Sequence, residues 1–172
     1  MQTLALLVDQ RAVERVEQIR RTLQDRLALP AADGLPGCAL VVASQLDGGV
    51  DDALRATCAG WRPVTLQVQG LRIAGGSHPT LSLAIARGAA LAEIQRTLYL
   101  AIDDFATAID PSYAPDRWMP EIPLLSAEPE QIGRAAGLLS GTSFDWRIAA
   151  NRLVRTGGPE ELRIGFGGAW GE

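Results

Sequence analysis

The sequence predicts an α+β domain made of two similar lobes that meet at a cleft. Three observations carry this. Helical and strand-like patterns alternate in the mixed order β-α-β-α-β-β-α-β-α-β-β. The pattern is duplicated, because each half reads helix, Pro-led short strand, helix, strand, strand. The length of 172 residues, 47% hydrophobic, is enough for a sizeable core in one domain spanning 1–172.

Each element has a local reason. Residues 3–8, TLALLV, are an apolar run that suits a buried strand. After Asp9, a helix N-cap, the period changes. Val13, Val16, Ile19, Leu23 and Leu27 share one helical face with Arg and Glu opposite, and Pro30 is a stop. The connection PAADGLPG leads to a second strand at 38–44. Residues 51–59 form a short helix ending at Gly60. The segments 63–75 and 78–86 alternate apolar and polar side chains as strands do, and GGSH links them as a hairpin. Residues 89–109 carry the longest helical pattern, with Leu91, Ile94, Leu98, Ile102 and Phe105 in register. DPSYAPDRWMP is a loop, 121–127 a strand and 129–139 a helix. Two closing strands lie within 143–155 and 161–167, separated by TGGPE.

Composition excludes several functions. The sixteen basic residues are all Arg, twenty residues are acidic, and the net charge is −4. With a sequence pI near 5.1, non-specific nucleic-acid binding is not expected, although a local basic cleft could form. There is one His, so a metal site or acid–base pair built on two histidines is excluded. Cys38 and Cys58 lack metal-ligand spacing and read as buried thiols; no metal and no cofactor are expected. The opening segment lacks a basic n-region and its apolar run breaks at Asp9. No stretch approaches the ~20 apolar residues of a membrane span, and a cytoplasmic location with no membrane contact is expected.

Several segments together resemble the 2H phosphoesterase superfamily, which includes the bacterial 2′-5′ RNA ligase and cyclic phosphodiesterase-like proteins. LALLVDQRAVERVEQIRRTL is similar to its opening strand and helix, and LPGCALVVAS to the strand of its first catalytic motif. LAEIQRTLYLAI, YAPDRWMPEIPLL and ANRLVRTGGPEELRIGF are similar to the late helix, the second motif strand and the closing hairpin. The resemblance implies a bilobed fold, with pseudo-symmetric antiparallel sheets facing a central cleft and helices outside. It also implies a reaction in which two His-x-Thr/Ser motifs place two imidazoles, one general base and one general acid, across a phosphodiester. The hydroxyls two residues on would hold the phosphate oxygens.

At the matching positions this sequence has neither motif. Gly37 and Ala39 stand at the first, Glu121 and Pro123 at the second. Glycine transfers no proton, alanine donates no hydrogen bond, and proline lacks both hydroxyl and N–H. A carboxylate at 121 could accept a proton but would repel a phosphate. The single His78, in Ser77-His78-Pro79-Thr80, matches His-x-Thr by letter but opens the middle strand, so a turn or strand-end role is expected. The sharper alternative pairs His78 with Glu121 as a relocated acid and base. Cys38, Arg117 and Trp118 are candidates for lining the ligand cleft, and Arg62, Arg72 and Arg155 for its positive potential. Asp103 and Asp104 read as a solvated helix edge.

The expectation is therefore a 2H phosphoesterase-like protein that has lost phosphodiesterase activity. It would bind a nucleotide, a cyclic phosphate or another small ligand in the remnant cleft. The alternatives are an active divergent cyclic phosphodiesterase using His78 and Glu121, and a non-enzymatic module that binds a protein partner.

Overall fold

The alternation at the N-terminus makes β1 (Gln2–Val8) a strand with Leu4, Leu6 and Val8 buried and the intervening side chains half-buried. Asp9 then caps α1 (Gln10–Leu27): one carboxylate oxygen accepts from the Ala12 N–H at 2.9 Å, the other from the Ala149 N–H at 3.0 Å. The cap thus also ties the helix start to a distant strand. The computed structural model describes residues 1–29, 34 and 36–168; the expected stop at Pro30 lies outside them. Then follow β2 (Gly37–Leu46), α2 (Val50–Ala59), β3 (Val64–Ala74), β4 (Thr80–Ile85) and α3 (Ala89–Ile102). The chain continues through β5 (Ala106–Ile109), β6 (Glu121–Ser126), α4 (Pro129–Leu139), β7 (Arg147–Thr156) and β8 (Leu162–Gly165).

The described strands join in the order β5-β2-β1-β7-β3-β4-β6, with β8 also on β7, and every pairing is antiparallel. β3 carries the sheet from one lobe to the other. Its first residues pair with β7 and its later ones with β4, and a bulge separates Val68 from Gly70. Gly70 has φ +146°, a backbone angle that L side chains rarely adopt, so glycine suits this bend.

The two sequence halves exchange parts. α3, from the second half, packs on β2 and α2 of the first. α1, from the first half, packs on β6 and α4 of the second. The hairpin β3–β4 completes the sheet that holds β6, while β7–β8 completes the one that holds β2. One apolar cluster, including Leu6, Leu40, Leu66, Leu83, Leu98 and Ile122, runs through both lobes.

One element differs from the sequence expectation. The helical pattern over 89–109 ends at Ile102; 103–105 make a 3-10 turn, and 106–109 pair with the far end of β2. Two consecutive Asp residues are poor helix formers, and the open edge of β2 offers Thr107 and Ile109 a ladder that helical periodicity cannot foresee. The expected order therefore gains one strand.

Candidate functional site

The two strands that carry the motif-matching positions come together without pairing. β2 holds Gly37 and Ala39, β6 holds Glu121 and Pro123, and the strands approach each other with no ladder between them. Their free edges leave backbone carbonyls that must be satisfied. Buried side chains do this. Arg20, on the buried face of α1, donates through Nη2 to the Pro123 carbonyl at 2.8 Å and through Nη1 to that of Gly34 at 2.9 Å. It also pairs with Glu17 at 2.8 Å. Gln95 of α3 donates to the carbonyls of Leu40 at 3.2 Å and Tyr113 at 2.7 Å. The Trp118 indole N–H donates to the Ala39 carbonyl at 2.9 Å.

Above this seam lies a cluster of polar groups. In the register of the second lobe, Arg72 stands opposite Ser82, Ser82 opposite Pro123, and Ala84 opposite Glu121, so these side chains share one sheet face. Arg72 Nη1 is 3.5 Å from Glu121 Oε2, and both side chains are about one-third exposed, at 32% and 27%. Burial raises the Glu121 carboxyl above its ordinary value, against the opposing pull of Arg72 and of the neighbouring Ser82 hydroxyl. The Ser82 oxygen and Glu121 Oε2 are both buried, and neither makes a well-aligned hydrogen bond among the described residues. Burial pushes the Cys38 thiol up to about 12, eased by the Glu121 backbone and reinforced by the Glu121 charge. Tyr113 is likewise pushed up to about 12, first by burial and then by the charges of Glu121, Asp110 and Cys38. At neutral pH both are uncharged, so Cys38 is not a ready nucleophile.

The structure deals differently with each expected residue. A Cβ built on Gly37 would stand 2.9 Å from the backbone oxygen of Leu6, so position 37 has no room even for alanine. Ala39 lies on the same face, opposite Ala5. Cys38 and Trp118 do not line a cleft: they are 0% and 1% exposed and belong to the core. The indole ring in the loop before β6 and the thiol on β2 are drawn inward by the apolar area they remove from water. Arg117 is exposed beside Asp116 at 3.9 Å.

His78 is separated from Glu121. It is 73% exposed before β4, with Nδ1 3.2 Å from Glu128 Oε1. Glu121 faces Ala84 at the other end of that strand, about 20 Å away at the usual strand rise. The two cannot share a proton, so the relocated pair is not formed. Arg155 is buried against Asp51 at 3.2 Å, Arg62 is exposed, and Asp103 and Asp104 are exposed on the 3-10 turn. Among the described residues no three His, Cys, Asp or Glu side chains gather to hold a metal.

Sequence reasoning missed Arg20, Gln95, Ser82 and Tyr113. Ser82 carried a weak signal, since it shares the parity of Thr80 and Ala84 in an alternating strand. The others carried none, because one Arg among sixteen and one Gln on a helix do not announce burial.

No protein-family model matches the sequence, and no curated protein matches it. Among solved structures, the fold matches Usb1 of Kluyveromyces marxianus with a TM-score of 0.60 and 7% identity, over 96% of this chain and 97% of that one. It matches the same protein with uridine monophosphate at a TM-score of 0.52 and 8% identity, over 96% and 98%. The chain therefore has the α+β fold of the 2H phosphoesterases.

Proposed function

We propose that this chain is a non-catalytic 2H phosphoesterase-like protein that binds a small phosphate-bearing ligand, a nucleotide or a cyclic phosphate, at the seam between β2 and β6. The observation that carries the loss of chemistry is the packing at Gly37, where a Cβ would meet the Leu6 oxygen at 2.9 Å. A reaction needing an acid and a base on opposite sides of a phosphodiester is left with Glu121 on β6 and, at the matching positions on β2, Gly37 and Ala39, which have no titratable side chain; the nearby Cys38 thiol and Tyr113 hydroxyl are held protonated by burial.

What remains suits binding. Arg72 supplies positive charge, and the buried Ser82 hydroxyl beside Glu121, with no well-aligned hydrogen bond among the described residues, is a further donor. Glu121 is biased by burial toward its protonated form, in which it donates a hydrogen bond instead of repelling an anion. The uridine monophosphate of the Kluyveromyces marxianus Usb1 structure supports a nucleotide as the ligand class.

The test is calorimetric titration with uridine monophosphate and a 2′,3′-cyclic nucleotide, alongside an assay for hydrolysis of the latter. Saturable binding without turnover is expected, weakened roughly tenfold by Arg72→Ala because a charge-assisted contact is lost. Turnover that survives purification and falls in Glu121→Ala would overturn the loss of activity, and absence of binding would overturn the ligand. Affinity for the cyclic phosphate, whose single charge is constant over the range, is expected to rise as pH is lowered toward the ordinary carboxylate range, because the Glu121 carboxyl is raised by burial and takes up its proton earlier than a free one.

A further inference from the structure

We propose that the flank of α1 turned away from the cleft carries an anion site, where Arg11, Arg15 and Arg147 converge to hold a compact, multiply charged phosphate group. The groove there has a volume of about 290 Å³ and lies between Arg11 and Arg15 of α1 and Trp146, Arg147 and Ile148 at the start of β7. That size suits a small charged group better than a whole nucleotide.

The helix separates this groove from the cleft. Val13 is the α1 residue that joins Leu7 and Arg152 along the cleft wall. Arg15, two residues on, lies about 200° further round the helix. Trp146 and Ile148 are buried, with Ile148 opposite Leu66 of the core. Arg147, at the first position of β7, is exposed at the end of the strand and reaches the groove from there. None of Gly37, Arg72, Ser82 and Glu121 lines it.

Three positive charges meet here without acidic partners. Arg11 and Arg15 are one turn apart, a like-charge pair that a helix accommodates at a small cost. The helical arginines Arg20 and Arg96 instead follow a Glu by three residues and pair with it at 2.8 and 2.9 Å. Glu14, three residues after Arg11, accepts from Gln10 at 3.2 Å. The two acids of the groove are bonded to neutral groups: Asp9 to the N–H groups of Ala12 and Ala149, Asp145 to the Gln67 amide at 2.8 Å. Among the described residues, none of the three arginines lies within ion-pair distance of a carboxylate. Each is exposed and stable in water singly; what selects an anion is their convergence on one recess, where their potentials add.

The recess is also ordered. Arg15 Cζ lies 4.4 Å from the centroid of the Trp146 ring, a cation–π contact that holds the guanidinium in place. Trp146 is itself anchored, its indole N–H donating to the Ser143 carbonyl at 3.1 Å. Asp9 clamps the start of α1 to Ala149 of β7 through hydrogen bonds of 2.9 and 3.0 Å, which fixes the spacing of the two walls. Arginine forks held in this way suit phosphate, whose oxygens can accept two N–H groups from one guanidinium.

Inorganic pyrophosphate, titrated into the isotope-labelled chain and followed by amide and indole N–H chemical shifts, tests this. Saturable shifts at Ala12, Arg15, Arg147 and the Trp146 indole are expected. Arg15→Gln should weaken binding roughly tenfold, and Arg11→Gln combined with Arg147→Gln roughly a hundredfold. Neither variant should change the affinity for uridine monophosphate at the seam by more than about twofold. No saturable shift, an affinity unchanged in both variants, or shifts confined to Arg72, Ser82 and Glu121 would each overturn the proposal. Pyrophosphate shifts retained in a chain that fails to bind uridine monophosphate would support this site and remove the ligand of the seam.

Discussion

At Gly37 the absence of a side chain is enforced by packing. The strand pairs with β1 so closely that a Cβ would meet the Leu6 carbonyl oxygen, and a backbone atom cannot rotate aside as a flexible side chain does. Gly37→Ala should therefore cost about 1–3 kcal/mol as an overpacking change, read from urea melts. Gly37→His should cost at least as much and restore no hydrolysis. Glu121 makes the complementary case. Its folded-state carboxyl titrates higher than in the unfolded chain, so between the two values the native state holds more protons and stability falls as pH rises. Glu121→Gln, which mimics the protonated form, should flatten that decline in melts taken from about pH 4 to about pH 8. An unchanged slope would mean that another group sets it.

At the scale of elements, the seam between β2 and β6 depends on helices that reach across it. Arg20 from α1 and Gln95 from α3 satisfy carbonyls that a neighbouring strand would ordinarily take. Arg20→Met keeps the volume but strands the Pro123 carbonyl, at about 1–3 kcal/mol for a group left buried and unpaired. Trp118→Phe, which leaves the Ala39 carbonyl without its donor, should cost about 1–3 kcal/mol on the same ground, plus some lost packing. Guanidinium denaturation of both variants checks this. The elements also show what the sequence made legible. Asp9 was readable as a helix start because capping is local chemistry. β5 was not, because 106–109 become a strand only by meeting the far end of β2. Burial of Cys38 was readable from its residue type; that it and Trp118 lie in the core and not along the cleft was decided by packing, since a place in the chain names a neighbourhood and not a depth.

For the whole molecule, the exchange of helices and hairpins makes each lobe dependent on both halves of the chain. α1 covers β6, α3 covers β2, and one apolar cluster spans the two. Neither half buries its own apolar faces, so fragments 1–87 and 88–172 should each be unfolded when expressed alone and recover the circular dichroism of the intact chain when mixed. A half that melts cooperatively by itself would show two separable domains. The same architecture explains why duplication was visible in the sequence while its partner choice was not.

The sequence by itself determined the alternation of elements, the helix cap at Asp9, the similar order of its two halves and the chemistry of residues 37, 39, 121 and 123. These are properties of period, local propensity and residue chemistry, which need no knowledge of what lies across a gap. Only the tertiary structure decided that His78 and Glu121 lie at opposite ends of β4, that Gly37 is closed against Leu6, and that Ser82, Arg72 and Tyr113 surround the carboxyl. It also brought Arg11, Arg15 and Arg147 to one groove. Those facts depend on strand register and long-range packing, where a shift of one residue turns a side chain to the other face.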